Sequence, residues 1–312
     1  MTSPSTQWAE IVGLDEEQRH AEFTEQIVAL QSKINRRNGK GRAFHRKPIA
    51  GLRGTLQVPE LLPEYASQGL FAKPGTYEAL VRMSNGSVVP QPDALPDIRG
   101  FAISVRGVQG AGALAATTDR QDFLLINFPN FGFEDSRDFA DIVGPAAKGQ
   151  MALLRFLFGK YGPIRGPLEM ARLVAAQSRP FSGFATSSFH SCAPVAWGPY
   201  AAQVHLEPAG AARNLLAFRD FGSDVRSRLE RGPLTWHVRA QFYTDDRNTP
   251  IEDGRVTWKG EKITVGTLTC DAVVDVEADR FDPWNALADH RPLGEIMRAR
   301  KVAYYPSYEN RC

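Results

Sequence analysis

The chain has 312 residues, 43% of them hydrophobic and 23% charged, and a formal net charge of +2. That is enough apolar material for one large domain or two ordinary ones. The balanced charge gives no reason to expect nucleic acid or an acidic membrane as a partner. Residues 1–18 carry Asp15, Glu16 and Glu17 and no apolar run, so no secretory signal is expected. No stretch approaches the roughly 20 apolar residues of a membrane span. Cys192, Cys270 and Cys312 lie far apart without a CxxC pair. This argues against a zinc site or a disulfide framework and fits a reducing, cytoplasmic location.

In chain order, residues 19–36 predict a helix, with Phe23, Ile27, Leu30 and Ile34 at helical spacing and Gly39 and Gly41 beyond its end. Residues 54–58, 78–84, 100–108 and 122–128 are rich in Val, Ile, Leu and Phe, are mostly separated by Pro, Gly, Asn or Asp, and read as strands. A helical middle follows at 136–143, 150–158 and 168–177. Strand character returns at 202–206, 234–243 and 262–274, with a helix at 211–231 between them. Residues 284–304 have helical periodicity, with Leu293, Ile296 and Met297 on one face. Strand and helix do not alternate regularly, so an α+β fold around an antiparallel sheet or barrel is expected rather than a doubly wound parallel sheet. No repeat, low-complexity segment or long linker marks a boundary. One domain is expected, with an N-terminal helical segment over 1–40 and the remainder over 41–312.

Several motifs are absent: there is no GxxxxGK[ST], HExxH, GxSxG or GxGxxG. Four segments carry the chemistry. In RAFH, residues 42–45, a histidine follows Phe44; taken alone it is more often structural than functional. LVRMSNGS, residues 80–87, takes Arg82 along a strand into an Asn-Gly turn, and such an arginine usually faces solvent. In DFLLINFPNF, residues 122–131, Asn127 interrupts an apolar run, and a buried Asn must find partners. In RARKVAYYPSYENR, residues 298–311, Arg300 and Tyr304 are four apart and share a helix face, which also suits an ordinary surface contact. The basic run RRNGKGRAFHR, residues 36–46, reads equally well as a solvated loop.

Taken together and in order, these segments resemble the haem-binding core of the catalase superfamily. The chain is most similar to the short catalase-related bacterial haem peroxidases. The likeness runs from about residue 42 to residue 311 and includes PDIRGFAISV and DHRPLGEIMRARK. It implies a catalase-like antiparallel β-barrel with surrounding helices and haem b as cofactor. The implied activity is a hydroperoxidase that reduces hydrogen peroxide or organic hydroperoxides through a ferryl intermediate, using an organic electron donor. Peroxidase activity with weak catalase activity is the expected balance.

The same resemblance implies residue roles. His45 is the distal base, Asn127 orients peroxide, and Ser84 hydrogen-bonds the His45 ring. Tyr304 is the axial iron ligand, as tyrosine is in catalases. A phenol ordinarily ionises near pH ~10, so Arg300 one turn earlier would supply the charge that favours the phenolate. Arg42, Arg82 and Arg311 would hold the haem propionates in guanidinium forks, and Phe139 would pack beside the haem. Tyr305 and Tyr308 crowd the ligand, so its assignment rests on the spacing of Tyr304 from Arg300 and Arg311.

Four departures qualify the likeness. The long N-terminal arm and the C-terminal domain of full catalases are missing, so a more open haem site and a homodimer are expected. Asn85-Gly86-Ser87 replaces the tighter Val-containing distal wall, and Phe44 stands where allene oxide synthases of this fold carry threonine. A lyase or isomerase acting on lipid hydroperoxides or a pathway-specific substrate is the alternative enzyme, and a haem carrier the non-catalytic one.

Overall fold

The computed structural model describes residues 3–148, 150–177 and 181–311; Cys312 lies outside them. Among the described residues, nine antiparallel strands form the centre of the fold: β1 (Lys47–Val58), β2 (Gly75–Asn85), β3 (Arg99–Gly110), β4 (Thr118–Ile126), β5 (Phe189–His190), β6 (Val195–Trp197), β7 (Tyr200–Pro208), β8 (Leu234–Phe242) and β9 (Lys262–Val273). Their order is β5-β4-β3-β2-β1-β9-β8-β7-β6, and β5 also pairs with β7. That last pairing, Phe189 with Leu206 and His190 with His205, closes the first eight strands of the order into a barrel. β6 stays outside the ring as a hairpin partner of β7.

Side chains alternate across each strand. Ala79, Val81 and Met83 of β2, Phe101, Ile103 and Val105 of β3, and Trp236, Val238 and Ala240 of β8 therefore fill the interior, each at most 2% exposed. Phe71 stacks on Trp197 at 4.8 Å, and Phe184 on Phe189 at 5.6 Å; aromatic pairs of this kind are worth ~0.5–1.5 kcal/mol beyond area burial. The indole N–H groups are satisfied, Trp197 by Ala66 O at 2.9 Å and Trp236 by Phe184 O at 3.2 Å.

The same alternation turns Arg82 and Ser84 of β2, with Gly100 and Ala102 opposite them on β3, to the outer face of the barrel. Three helices cover that face: α1 (Glu16–Asn38), α2 (Ser136–Lys148) and α5 (Glu295–Glu309). Arg82 is consequently 3% exposed rather than solvent-facing. Glu295 ties the three helices together. Its carboxylate accepts from Ser136 N at 2.7 Å, Ser136 Oγ at 2.6 Å and Arg19 at 3.1 Å, and lies 2.9 Å from His20 Nε2. Gln31 on α1 donates to Gly41 O at 2.8 Å and Ser307 O at 3.0 Å, linking α5 to the segment that leads into His45.

Several element expectations need correction. The first strand begins at Lys47, well before residue 54. Of the helix expected over 211–231, only α4 (Phe221–Leu229) forms, capped by Asp220, which accepts from Ser223 N at 2.9 Å. α5 begins at Glu295, not 284, because Pro292 and Gly294 (φ 88°) interrupt the periodic stretch, and it continues past Tyr304. The expected helices 150–158 and 168–177 belong to one element, α3 (Gln150–Gln177), kinked at Gly162 before Pro163. Asn85-Gly86 does not make a two-residue hairpin; β2 and β3 are joined by a longer loop in which Gly86 N donates to Ile98 O at 2.7 Å.

Candidate active site

A cavity of about 300 Å³ lies between the outer face of β2–β4 and the covering helices. It brings together His45, Ser84, Arg42, Arg82, Phe139, Arg300, Tyr304 and Arg311. Its volume is at the lower end of the roughly 300–1,000 Å³ usual for ligand sites. Much of the remaining wall is apolar, including Phe23, Ile27, Ile98, Ile126, Phe131 and Ile296. Phe139 lies at the centre of an aromatic group, with Phe44 at 5.7 Å, Phe131 at 5.3 Å and Phe133 at 5.3 Å.

On α5 the i, i+4 spacing sets Arg300 against Tyr304. The guanidinium donates to the phenol oxygen and lies 5.2 Å from the ring centroid. Met297 Sδ, 3.5 Å from Arg300 Nη1, steadies the other side of the group.

His45 sits in the left-handed region at φ 53°, a conformation that costs an L-residue ~1–2 kcal/mol. Its backbone N donates to Gly86 O at 3.0 Å, and its Nδ1 is 3.1 Å from Ser84 Oγ. Nε2 makes no hydrogen bond to a described residue. Burial first, then the charges of Arg82, Arg300 and Arg42, pushes the imidazole pKa down to about 3. The ring is therefore neutral at physiological pH. Among the described residues, the other non-glycine residue with positive φ is Cys192 (φ 61°), and it lines the same cavity. Such outliers persist where the surroundings impose them, often at functional sites.

Close approach requires Gly100. A Cβ there would collide with His45 Nδ1 and come within 2.9 Å of Ser84 Oγ. The cationic wall is crowded as well. Burial, with the charges of Arg82 and Arg311, pushes Arg42 down to about 9, and Arg42 Nε is buried without a partner. Arg82 is locked to Glu277 at 2.6 and 3.2 Å. Arg311 lies 5.0 Å from the Tyr308 ring centroid, and Arg280, also with an unpartnered Nε, lies 5.3 Å from it. Guanidinium groups gathered at the edge of an apolar cavity suit a flat apolar ligand that carries carboxylates. Together with a tyrosine held by arginine, this donor set fits haem.

Asn127 stands apart from these residues. It does not line the cavity; its Oδ1 accepts from Arg99 N at 2.7 Å and its N donates to Arg99 O at 3.0 Å, joining the end of β4 to the start of β3. Gly100, Arg280, Phe281, Cys192, Phe23 and Ile27 also line the cavity, beyond the residues expected there. Gly100 and Phe281 have weak local signals, in RGF and RFDP, but nothing in the sequence places either beside the cavity. The basic run divides: Arg36 and Arg37 are exposed, whereas Arg46 is buried and donates to Gly39 O and, at 3.0 Å, to Asn35 Oδ1.

No protein-family model and no curated protein matches the sequence. Solved structures do. A fungal catalase has a TM-score of 0.68 at 17% identity, with 100% of this chain and 65% of that one covered. A bacterial catalase has a TM-score of 0.67 at 18% identity, covering 100% and 63%. Catalase A from Saccharomyces cerevisiae has a TM-score of 0.67 at 16% identity, covering 100% and 67%. The chain thus spans about two thirds of the length of each. With its closed antiparallel barrel and covering helices, this chain has the catalase fold.

Proposed function

We propose that the cavity binds haem b and that the chain is a haem-dependent hydroperoxidase, a peroxidase with weak catalase activity. One observation carries this reading. A neutral histidine with a free Nε2 shares an apolar, arginine-edged cavity with a tyrosine whose oxygen is held by a guanidinium. Bound there, haem supplies the redox-active iron needed to cleave a peroxide O–O bond.

The chain's own residues do the rest. Tyr304 Oη would hold the iron, with Arg300 donating to the same oxygen and fixing its position. Arg42, Arg82 and Arg311 would hold the propionates, with Phe139 beside the ring. His45 Nε2 takes the proton from one peroxide oxygen and returns it to the other as the bond breaks. Ser84 fixes the ring through Nδ1. Asn127, outside the cavity lining, acts indirectly: by tying the end of β4 to Arg99 it positions the start of β3, which carries Gly100 beside His45. An organic donor loses two electrons and two protons, which convert hydrogen peroxide to two waters or an organic hydroperoxide to its alcohol and water.

The test is product analysis of haem-loaded protein given a fatty-acid hydroperoxide and a phenolic donor. The proposal expects the alcohol, with donor oxidised in proportion, and little oxygen release from hydrogen peroxide. A dehydrated or isomerised product with no donor consumed would instead assign the site to a lyase or isomerase.

A further inference from the structure

Asn85 at the end of β2 and Arg99 at the start of β3 are a cross-strand pair. Three contacts of His45 lie one residue away from that pair. Ser84, before Asn85, meets the imidazole Nδ1; Gly86, after it, accepts from His45 N; Gly100, after Arg99, lies against the ring. Successive residues of a strand face opposite sides. Ser84 and Gly100 therefore face the cavity, while Asn85 and Arg99 turn away from it and are 1% and 3% exposed.

Arg99 grips the loop that joins the two strands, residues 86–98. Its Nη1 donates to Asn85 Oδ1, and its Nη2 to Asp93 O at 2.8 Å and Leu95 O at 2.7 Å. Asn85 Nδ2 in turn donates to Asp93 Oδ1 at 2.8 Å. The same carboxylate accepts from Lys47 Nζ at 2.6 Å and Phe221 N at 2.9 Å. The Arg99 guanidinium lies 5.0 Å from the Phe221 ring centroid and 5.8 Å from that of Phe181. Ile98, the residue before Arg99, accepts from Gly86 N and lines the cavity. A rigid planar fork holds several acceptors at once, which the point charge of a lysine does not reproduce. The backbone of His45 needs such support, because its left-handed φ persists only while the surroundings impose it.

We propose that Arg99 is a positioning residue for His45. It clamps the strand pair and the 86–98 loop so that Gly86 O, Ser84 Oγ and Gly100 keep the imidazole in the cavity. Arg99 does not itself line the cavity and acts through these three residues. Its catalytic meaning rests on the reading of His45 as the group that moves the peroxide proton.

The experiment compares Arg99→Lys with Val238→Ala, a core truncation on β8, which pairs with neither β2 nor β3. Isotope-labelled histidine is titrated by NMR in the haem-free chain, the His45 signal being identified by its loss in His45→Gln. Burial and the charges of Arg82 on β2, Arg300 on α5 and nearby Arg42 hold His45 at about 3 in the parent. Its signal should therefore stay still between about pH 8 and pH 5. In Arg99→Lys the ring leaves that setting, and its midpoint should rise toward the ordinary 6.5. Val238→Ala should leave it in place. With haem loaded, Arg99→Lys should slow the reaction with peroxide by about 10²-fold, the cost of displacing a catalytic group by ~1 Å. An unshifted His45 in folded Arg99→Lys, or an equal shift in Val238→Ala, overturns the proposal. Where Arg99→Lys does not fold, Asn85→Ala, which removes one acceptor of the fork, takes its place with the same expected and overturning results. The expected shift beside a parent that does not react with peroxide supports the positioning and counts against the hydroperoxidase reading alone.

Discussion

His290 and His45 are both pushed well below the usual histidine range, and their surroundings differ in what they leave undone. His290 sits among the aromatic residues of the core, 0% exposed, 4.6 Å from Trp197 and 5.6 Å from Phe71 between ring centroids. Its Nε2 accepts from Leu70 N at 3.0 Å, and Nδ1 lies 3.4 Å from Ala196 O. Burial pushes it down to about 4. His45 is pushed down to about 3 by burial and by three arginines, in a left-handed backbone, with Nε2 unclaimed. One environment satisfies its imidazole completely. The other arranges charge, backbone and one hydrogen bond so that a nitrogen remains available. A low pKa is common to both, so it does not by itself mark a reactive site; what sets His45 apart is its place in the arginine-lined cavity.

The largest expected effect separates the two directly. In haem-loaded protein His45→Ala should slow reaction with peroxide by roughly 10²–10⁴-fold while leaving the thermal midpoint near that of the parent. His290→Ala should do the reverse, losing about 1–3 kcal/mol through the unsatisfied Leu70 N–H alone. Rapid-mixing kinetics and thermal melts on both variants would break the comparison if either pattern were exchanged.

Acid should act through the core histidine. An unfolded histidine titrates near pH 6.5, whereas His290 does so at about 4. Between these values the unfolded chain binds a proton that the folded chain does not, so stability is complete above pH 6.5 and falls as pH drops toward 4. The loss is about 3 kcal/mol for His290; His45 contributes in the same direction. Denaturant melts across pH 4–7 that show rising stability toward acid would contradict this.

Gly100→Ala sharpens the contrast at the site itself. The added Cβ meets His45 Nδ1 and Ser84 Oγ, costing ~1–3 kcal/mol as overpacking and displacing the imidazole. Peroxide reactivity should fall more than stability does; an intact rate would show that His45 is not held through this contact. Ser84→Ala should have the smallest effect. Loss of one hydrogen bond, ~1 kcal/mol, predicts a rate lower by about fivefold with haem content unchanged.

Much of the barrel was legible because alternation and length speak locally: β2, β3, β8 and β9 lie within a few residues of expectation. The i, i+4 spacing of Arg300 and Tyr304 was likewise enough to put them in contact. β5 and β6, two and three residues long, carry no periodic signal, although β5 closes the ring. Nor does a strand pattern reveal that helices cover an outer barrel face, which is why Arg82 reads as a surface charge until α1, α2 and α5 are in place. Phe23 and Ile27 reach the cavity through tertiary packing of α1. The role of Gly100 follows from a contact with a residue 55 positions away. Such features belong to the folded arrangement, not to any local run of residues.

The central claim is that this cavity holds haem through Tyr304. The most direct measurement is the visible absorption spectrum of protein expressed with adequate haem, beside that of Tyr304→Phe. The account predicts a ferric high-spin, tyrosinate-type spectrum that the variant loses. No haem spectrum in the parent, or an unaltered spectrum in the variant, would contradict it.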